Sequence, residues 1–334
     1  MSITGTVLNV SLALFTFAAT TTRAHAIADK PNVVIVFVDD LGWSDLSCYG
    51  STFHETPNID RLANQGAMFT SAYASCCVCS PTRASLLTGK YPQRVGFTDY
   101  LSPGKPSGAN SAETHLPASE TTIGEAFQQA GYRTGYIGKW HVGSKKIGMP
   151  KQHGFDWQMA TAKHGLPASY FFPFKGEKPS VADVPDLEDG KPGDYLTDSL
   201  TDKGIGFIRE TVKEGKKPFF LVLGHYVVHT PMQAPKKLVE KYEAKKERMY
   251  GTTPLKWRPE RLNQKVPLRQ QNPTYAAMLE NLDTNVGKVI DALEELDVTK
   301  NTIIVFISDN GGSCMPESRP TSNYPLRASK GLSI

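Results

Sequence analysis

Asn32-Val33-Val34-Ile35-Val36-Phe37-Val38-Asp39-Asp40 is a near-continuous apolar run that stops abruptly on two carboxylates. Such a run suits a strand buried on both faces, as in a parallel sheet. Two adjacent carboxylates behind a buried strand are costly unless they bind a cation; the competing reading is a solvated loop with a helix cap. Gly42 follows within two residues and lets the backbone turn tightly, which favours the metal reading.

The same kind of run recurs along the chain. Tyr132 to Ile137, Pro218 to Gly224 and the apolar Thr302 to Ser308 read as further strands, and several of the chain's strands are buried runs. Between them lie helix signals: Thr56-Pro57 to Gly66, the capping box Thr122-x-x-Glu125 to Gly131, a helix around 197–210, and an amphipathic helix from Thr274 to Leu296. A short strand is expected over Ala67 to Ala74, and surface helix and loop over 235–272. Residues 98–118 and 163–194 read as loops, the second a rim that shapes substrate choice. The alternation predicts an α/β fold with a large, mainly parallel sheet covered on both faces by helices.

In such folds sites form beyond the carboxyl ends of the strands. Asp39, Asp40, Lys139, His141, His229, Asp309 and Asn310 all fall at predicted strand ends. Lys139 and His141 are two apart and would face the same way in extended backbone. Taken singly, the lysine reads equally as a surface side chain and His229 as a satisfied, partly buried histidine; the joint placement is what points to an anion site. The four oxygen donors Asp39, Asp40, Asp309 and Asn310 suit Ca²⁺ or Mg²⁺.

One further stretch pairs a cysteine with a helix start: Cys79-Ser80-Pro81-Thr82-Arg83 through Thr88-Gly89. Ser80 is a good N-cap, Pro81 suits the first helical position and Gly89 is a stop. That places Cys79 just outside a helix N-terminus, where N–H groups favour an anion, with the Arg83 fork within the first turn. A buried, unreactive cysteine before an ordinary helix accounts equally for these residues alone.

A net charge of +4 and only short Lys/Arg clusters are no nucleic-acid footprint. Val7 to Ala19 is apolar but too short to span a bilayer, and Ala24-His25-Ala26 is a small-x-small cleavage site. Residues 1–26 therefore read as an export signal, although no Lys or Arg precedes the apolar run. The chain is expected to be periplasmic or secreted, or delivered to a lysosome-type lumen in a eukaryote, without stable membrane insertion. Five cysteines outside that segment leave at least one unpaired, and their spacing does not suit a structural zinc site.

With these residues in place the chain resembles the type I sulfatases of the alkaline phosphatase superfamily. Cys79-x-Pro81-x-Arg83 with Thr88-Gly89 matches their signature. Further matches are Asp39-Asp40-x-Gly42, Thr56-Pro57-Asn58-Ile59-Asp60, Gly138-Lys139-Trp140-His141, His229-Thr230-Pro231, Ser308-Asp309-Asn310-Gly311-Gly312 and Pro325-Leu326-Arg327-Ala328-x-Lys330-Gly331. The resemblance runs from about residue 31 to the end, and 31–334 is expected to be one catalytic domain.

The resemblance implies an alkaline-phosphatase-like fold and hydrolysis of aryl sulfates or sulfated carbohydrates. It implies that a maturation enzyme oxidises Cys79 to formylglycine, whose hydrated form attacks sulfur. Arg83 would stabilise that diol, and Lys139 and Lys330 would bind sulfate oxygens. His229 would protonate the leaving alcohol, and His141 would assist the remaining hydroxyl as sulfate departs. Asp39, Asp40, Asp309 and Asn310 carry over as ligands of one Ca²⁺, with Mg²⁺ the alternative. Relatives usually continue past Lys330 into a further strand and a small antiparallel C-terminal subdomain. The chain is therefore expected to be a fragment, a frameshifted product or a truncated paralogue, with an unpaired edge or exposed apolar surface. Two other functions fit the motifs: a phosphonate or phosphodiester hydrolase of the same superfamily, and an inactive truncated product.

Overall fold

The opening run forms strand β1 (Asn32–Val38), and all seven of its residues are buried. The computed structural model describes residues 30–102, 105–108, 114–143, 147–162, 164–177, 182–260, 265–314 and 320–332. The export signal read over 1–26 lies outside the described residues.

Four further strands join β1 in one sheet: β2 (Arg133–Gly138), β3 (Trp157–Met159), β4 (Phe219–Gly224) and β7 (Thr302–Ser308). A separate antiparallel hairpin consists of β5 (Trp257–Pro259) and β6 (Lys265–Pro267), inside the region expected to hold only helix and loop. The order across the main sheet is β3-β2-β4-β1-β7, and every pairing in it is parallel. The helices are α1 (Pro57–Gln65), α2 (Cys79–Thr88), α3 (Pro92–Val95), α4 (Ile123–Gln129), α5 (Leu196–Glu214), α6 (Lys236–Tyr250) and α7 (Pro273–Glu295).

Alternation along β1 divides the core. Val34, Val36 and Val38 pack with Leu200 and Ile208 of α5 and Leu282, Val286 and Val289 of α7. Val33, Ile35 and Phe37 pack on the other side with Ala84 and Leu87 of α2. Burying each such side chain contributes roughly 1.5–3 kcal/mol. Helix α7 begins where Pro273 takes its first position and the Asn272 side chain accepts from Tyr275 N at 3.1 Å. Helix α4 has the expected capping box, with Glu125 N donating to Thr122 Oγ1 and Thr122 N to Glu125 Oε2.

Three expectations are corrected. Ala67 to Ala74 forms no strand and is exposed: no backbone ladder is offered to it by the described residues. Helix α2 starts at Cys79 with Val78 as its cap, two residues earlier than read. Ser80 Oγ instead accepts from Leu101 N at 2.9 Å, so this hydroxyl ties a loop to the helix and caps nothing. The sheet is covered on both faces only as far as β1, because Ile303, Val305 and Ile307 of β7 face outward and are exposed.

Parallel strands all end on one edge, and the register brings Val38 beside Ser308, and Gly224 between Phe37 and Gly138. Gly138 has φ +90°, and a Cβ there would lie 2.1 Å from the Gly224 carbonyl oxygen. This glycine lets β2 and β4 stay together to their last residue, just before Lys139.

Candidate active site

The ends of β1 and β7 bring Asp39, Asp40 and Asp309 together, with one carboxylate oxygen of each lying within 4.8 Å of the others. Asp39 and Asp309 are completely buried. Lys139, buried at the end of β2, donates to Asp39 Oδ2 at 2.5 Å. Arg83, one turn into α2, donates through Nε and Nη2 to Asp309 Oδ2 at 3.1 and 3.0 Å. Its Nη1 donates to the Lys139 carbonyl at 2.8 Å, and its guanidinium lies 4.5 Å from the centre of the Phe37 ring. Lys330 donates to Asp40 Oδ2 at 2.8 Å, and Asn310 Nδ2 to Asp40 Oδ1 at 2.8 Å. His229 Nε2 lies 3.6 Å from Asp40 Oδ2, while its Nδ1 donates to the Thr230 carbonyl at 3.0 Å.

Cys79 is joined to this cluster through α2 and through His141. Its Sγ lies 3.2 Å from His141 Nδ1, and His141 Nε2 is 3.0 Å from the Leu101 carbonyl. A carbonyl only accepts, so Nε2 carries the proton and Nδ1 accepts from the thiol. Gly165 holds the ring from behind: a Cβ there would fall 2.2 Å from His141 Cε1. All ten residues named from the sequence thus converge. Lys139 and His141 do so by a different route from strand alternation, because the chain leaves β2 at Gly138 and His141 adopts φ +58°.

Burial raises the Asp39 carboxyl, but the charges of Lys139, His229 and Arg83 outweigh it and hold the group below its ordinary range. Asp309 goes the other way, because burial and the Asp39 charge prevail over Arg83 and Lys139. Burial would release the Lys330 proton, yet Asp40 and Asp39 hold it on well above the usual range. Burial and Lys139 depress His141 well below an ordinary histidine, so it is neutral at neutral pH. Burial pushes the Cys79 thiol up, with Lys139 opposing, so the free cysteine is a thiol and not a thiolate.

Two buried oxygens of the cluster, Asp39 Oδ1 and Asn310 Oδ1, receive no hydrogen bond. Orphaned acceptors beside three carboxylates form a set of hard oxygen donors that fits Ca²⁺ or Mg²⁺. Gly42 serves this set by its size: its N donates to Asp45 Oδ2 at 2.8 Å, and a Cβ would lie 2.6 Å from that same oxygen.

Sequence reasoning missed the support beneath Asp40. Asp45 is fully buried and accepts from Tyr275 Oη at 2.5 Å, from Gln270 Nε2 at 2.7 Å and from the Thr321 hydroxyl. Tyr136 Oη also donates to the Lys139 carbonyl at 2.6 Å. Asp45 lay in view five residues after Asp40, but Gln270, Tyr275 and Thr321 are more than two hundred residues away and carry no local signal. All five cysteines are free. No helix among the described residues is long and apolar enough to cross a membrane.

The family model described as Sulfatase matches residues 31–333. The N-acetylgalactosamine-6-sulfatase of Rattus norvegicus is 32% identical over 325 residues, covering 92% of this chain and 55% of the relative. The N-acetylgalactosamine-6-O-sulfatase of Bacteroides thetaiotaomicron is 30% identical, covering 85% of this chain and 59% of the relative. Among solved structures, Ps i-CgsB superposes with a TM-score of 0.69 at 33% identity, covering 91% of this chain and 63% of that one. This chain spans a little over half the length of the curated relatives it matches, 55% of the rat enzyme. It belongs to the sulfatase family, with the alkaline-phosphatase-like fold of that family.

Proposed function

We propose that this sulfatase-family chain hydrolyses sulfate esters of a carbohydrate, using a formylglycine made from Cys79 by a separate maturation enzyme. The observation that carries the reading is the meeting of Cys79, at the head of α2, with a buried cluster of carboxylates and cations. A raised thiol pKa leaves the unmodified cysteine a poor nucleophile, which favours conversion of the side chain. Formylglycine supplies a hydrated aldehyde oxygen in place of the sulfur.

Asp39, Asp40, Asp309 and Asn310 would hold the divalent cation, which supplies positive charge to polarise the bound sulfate group. Without it the carboxylates of Asp39, Asp40 and Asp309 are balanced by Lys139, Arg83 and Lys330. A divalent ion would leave this site with an excess of about two positive charges, suited to a singly charged sulfate ester. Lys139 and Lys330, whose ammonium groups border the carboxylate cluster, would bind sulfate oxygens. Neutral His141 can accept a proton at Nδ1 from the residue-79 side chain. His229, with Nε2 3.6 Å from Asp40 Oδ2, would return a proton to the leaving alcohol.

The substrate class is supported by the relatives, which are named N-acetylgalactosamine-6-sulfatases, and by a structure of Ps i-CgsB in complex with k-i-k-neocarrahexaose. Export, which the sequence of residues 1–26 supports, would bring the chain to such polymers. Co-expression with a formylglycine-generating enzyme should yield a chain in which mass spectrometry finds the aldehyde at position 79 and which releases sulfate from an aryl sulfate. The Cys79→Ala variant should lose that turnover, and robust activity in it would overturn the reading.

A further inference from the structure

We propose that the cleft between the β5–β6 hairpin and the facing ends of α6 and α7 binds an anionic sugar unit of the glycan, apart from the unit being desulfated. The proposal rests on the sulfated-carbohydrate reading above and extends it to a polymer held at two places. The cleft has a volume of about 400 Å³, within the range of small-ligand sites. Its lining includes Lys246, Trp257, Arg269 and Gln271, and contains no acidic residue.

Among the described residues the charge lining this cleft is positive and uncompensated. Lys241 and Lys245 on the same helix pair with Glu55, and Arg258 on the hairpin pairs with Glu260. Among the described residues Lys246 and Arg269 have no carboxylate partner. Arg269 is also held in place: its guanidinium lies 4.1 Å from the centre of the Tyr250 ring, Nη2 donates to the Thr253 carbonyl at 2.7 Å, and Nε to Gln271 Oε1 at 2.9 Å. A fixed fork loses little entropy when an anion docks, and its planar geometry matches a carboxylate or a sulfate. Trp257 adds the amphipathic ring surface on which the C–H face of a sugar packs.

The cleft is tied to the cluster at the strand ends. Thr321 lines it and donates to Asp45; Asp45 accepts from Tyr275 Oη, which lies 3.4 Å from the Asp40 carbonyl. Two side chains therefore separate the cleft wall from Asp40.

The test is a calorimetric titration of the full chain carrying Cys79→Ala, so that binding is read without turnover. The probe is a chondroitin 6-sulfate hexasaccharide. Arg269→Gln and Trp257→Ala should each raise its Kd about tenfold, and Lys246→Gln about threefold. Lys246 and Arg269 keep the test decisive if the Trp257 variant folds poorly. A desulfated hexasaccharide, which retains its carboxylates, identifies the anion: equal sensitivity to Arg269→Gln assigns the cleft to carboxylate, and loss of binding assigns it to sulfate. No binding by the parent, an unchanged Kd in Arg269→Gln and Lys246→Gln, or equal binding of neutral maltohexaose would overturn the proposal. Turnover of a small aryl sulfate by otherwise native chains should not respond to Arg269→Gln. Absent turnover with the titration intact would remove the hydrolase reading alone.

Discussion

Strands β1 and β7 are both seven-residue, mostly β-branched apolar runs, NVVIVFV and TIIVFIS, and pair residue for residue from Asn32 beside Thr302 to Val38 beside Ser308. Every β1 residue is buried, whereas Ile303, Val305 and Ile307 of β7 are 50%, 39% and 38% exposed. The difference lies in what covers each strand. Helix α2 packs on the Val33, Ile35 and Phe37 face of β1, and this layer does not extend over the matching face of β7. An apolar run thus identifies a strand without saying whether both its faces are covered. At their carboxyl ends the two strands become alike again, because Asp39 and Asp309 are both fully buried. There the cover comes from Arg83, Lys139 and the loops.

The sharpest way to break that likeness is to remove either carboxylate. If the two strand ends serve one cation, Asp39→Ala and Asp309→Ala should each lower both aryl sulfatase turnover and Ca²⁺ affinity by at least about 10²-fold. Calcium titration followed by a shift in melting temperature reads the affinity without relying on activity. A variant at one end that leaves Ca²⁺ affinity intact would show that the strands do not share a metal.

The difference between the strand faces should appear in stability. Ile35→Ala leaves a cavity between the sheet and α2 and should cost about 2–5 kcal/mol. Ile303→Ala, on the bare face of β7, should cost under about 1 kcal/mol. Urea unfolding of the two variants measures both, and comparable losses would mean that the β7 face is covered in solution.

This contrast also marks how far the sequence could be read. The positions of β1, β2, β4 and β7 were legible because each apolar run has its own local pattern, whereas β3, β5 and β6, three residues each, are too short to carry one; the carboxylates, lysine and histidines stood out because polar groups directly follow the four runs. Helix α2 began two residues early because a possible cap at Ser80 cannot be told from a hydroxyl that a distant loop will use; Leu101 N is 21 residues away. The hub at Asp45 and the contact of Gly165 with the His141 ring were invisible for the same reason, since both depend on long-range packing. The bare face of β7 was illegible in the run itself, because burial belongs to the layer above a strand.

The end of β4 offers a smaller, graded test of the buried edge. Asp39 follows β1 and is compensated by Lys139, whereas His225 follows β4, is buried, and has an Nδ1 with no hydrogen-bond partner. Burial lowers its pKa from 6.5 to about 4, with Asp198 opposing weakly. Above pH 6.5 the ring is neutral in both folded and unfolded chains and favours neither. As pH falls from 6.5 towards 4 the unfolded chain takes up a proton that the folded chain does not, so stability falls with pH. At about 1.4 kcal/mol per pH unit the loss approaches roughly 3 kcal/mol at pH 4 and about 1 kcal/mol at pH 5.5. His225→Gln cannot take up that proton, so its stability should fall less steeply over the same window, even if its stability at pH 7.5 is lower. Equal slopes in urea unfolding from pH 7 to 4.5 would show that the end of β4 admits water and is not buried as the ends of β1 and β7 are.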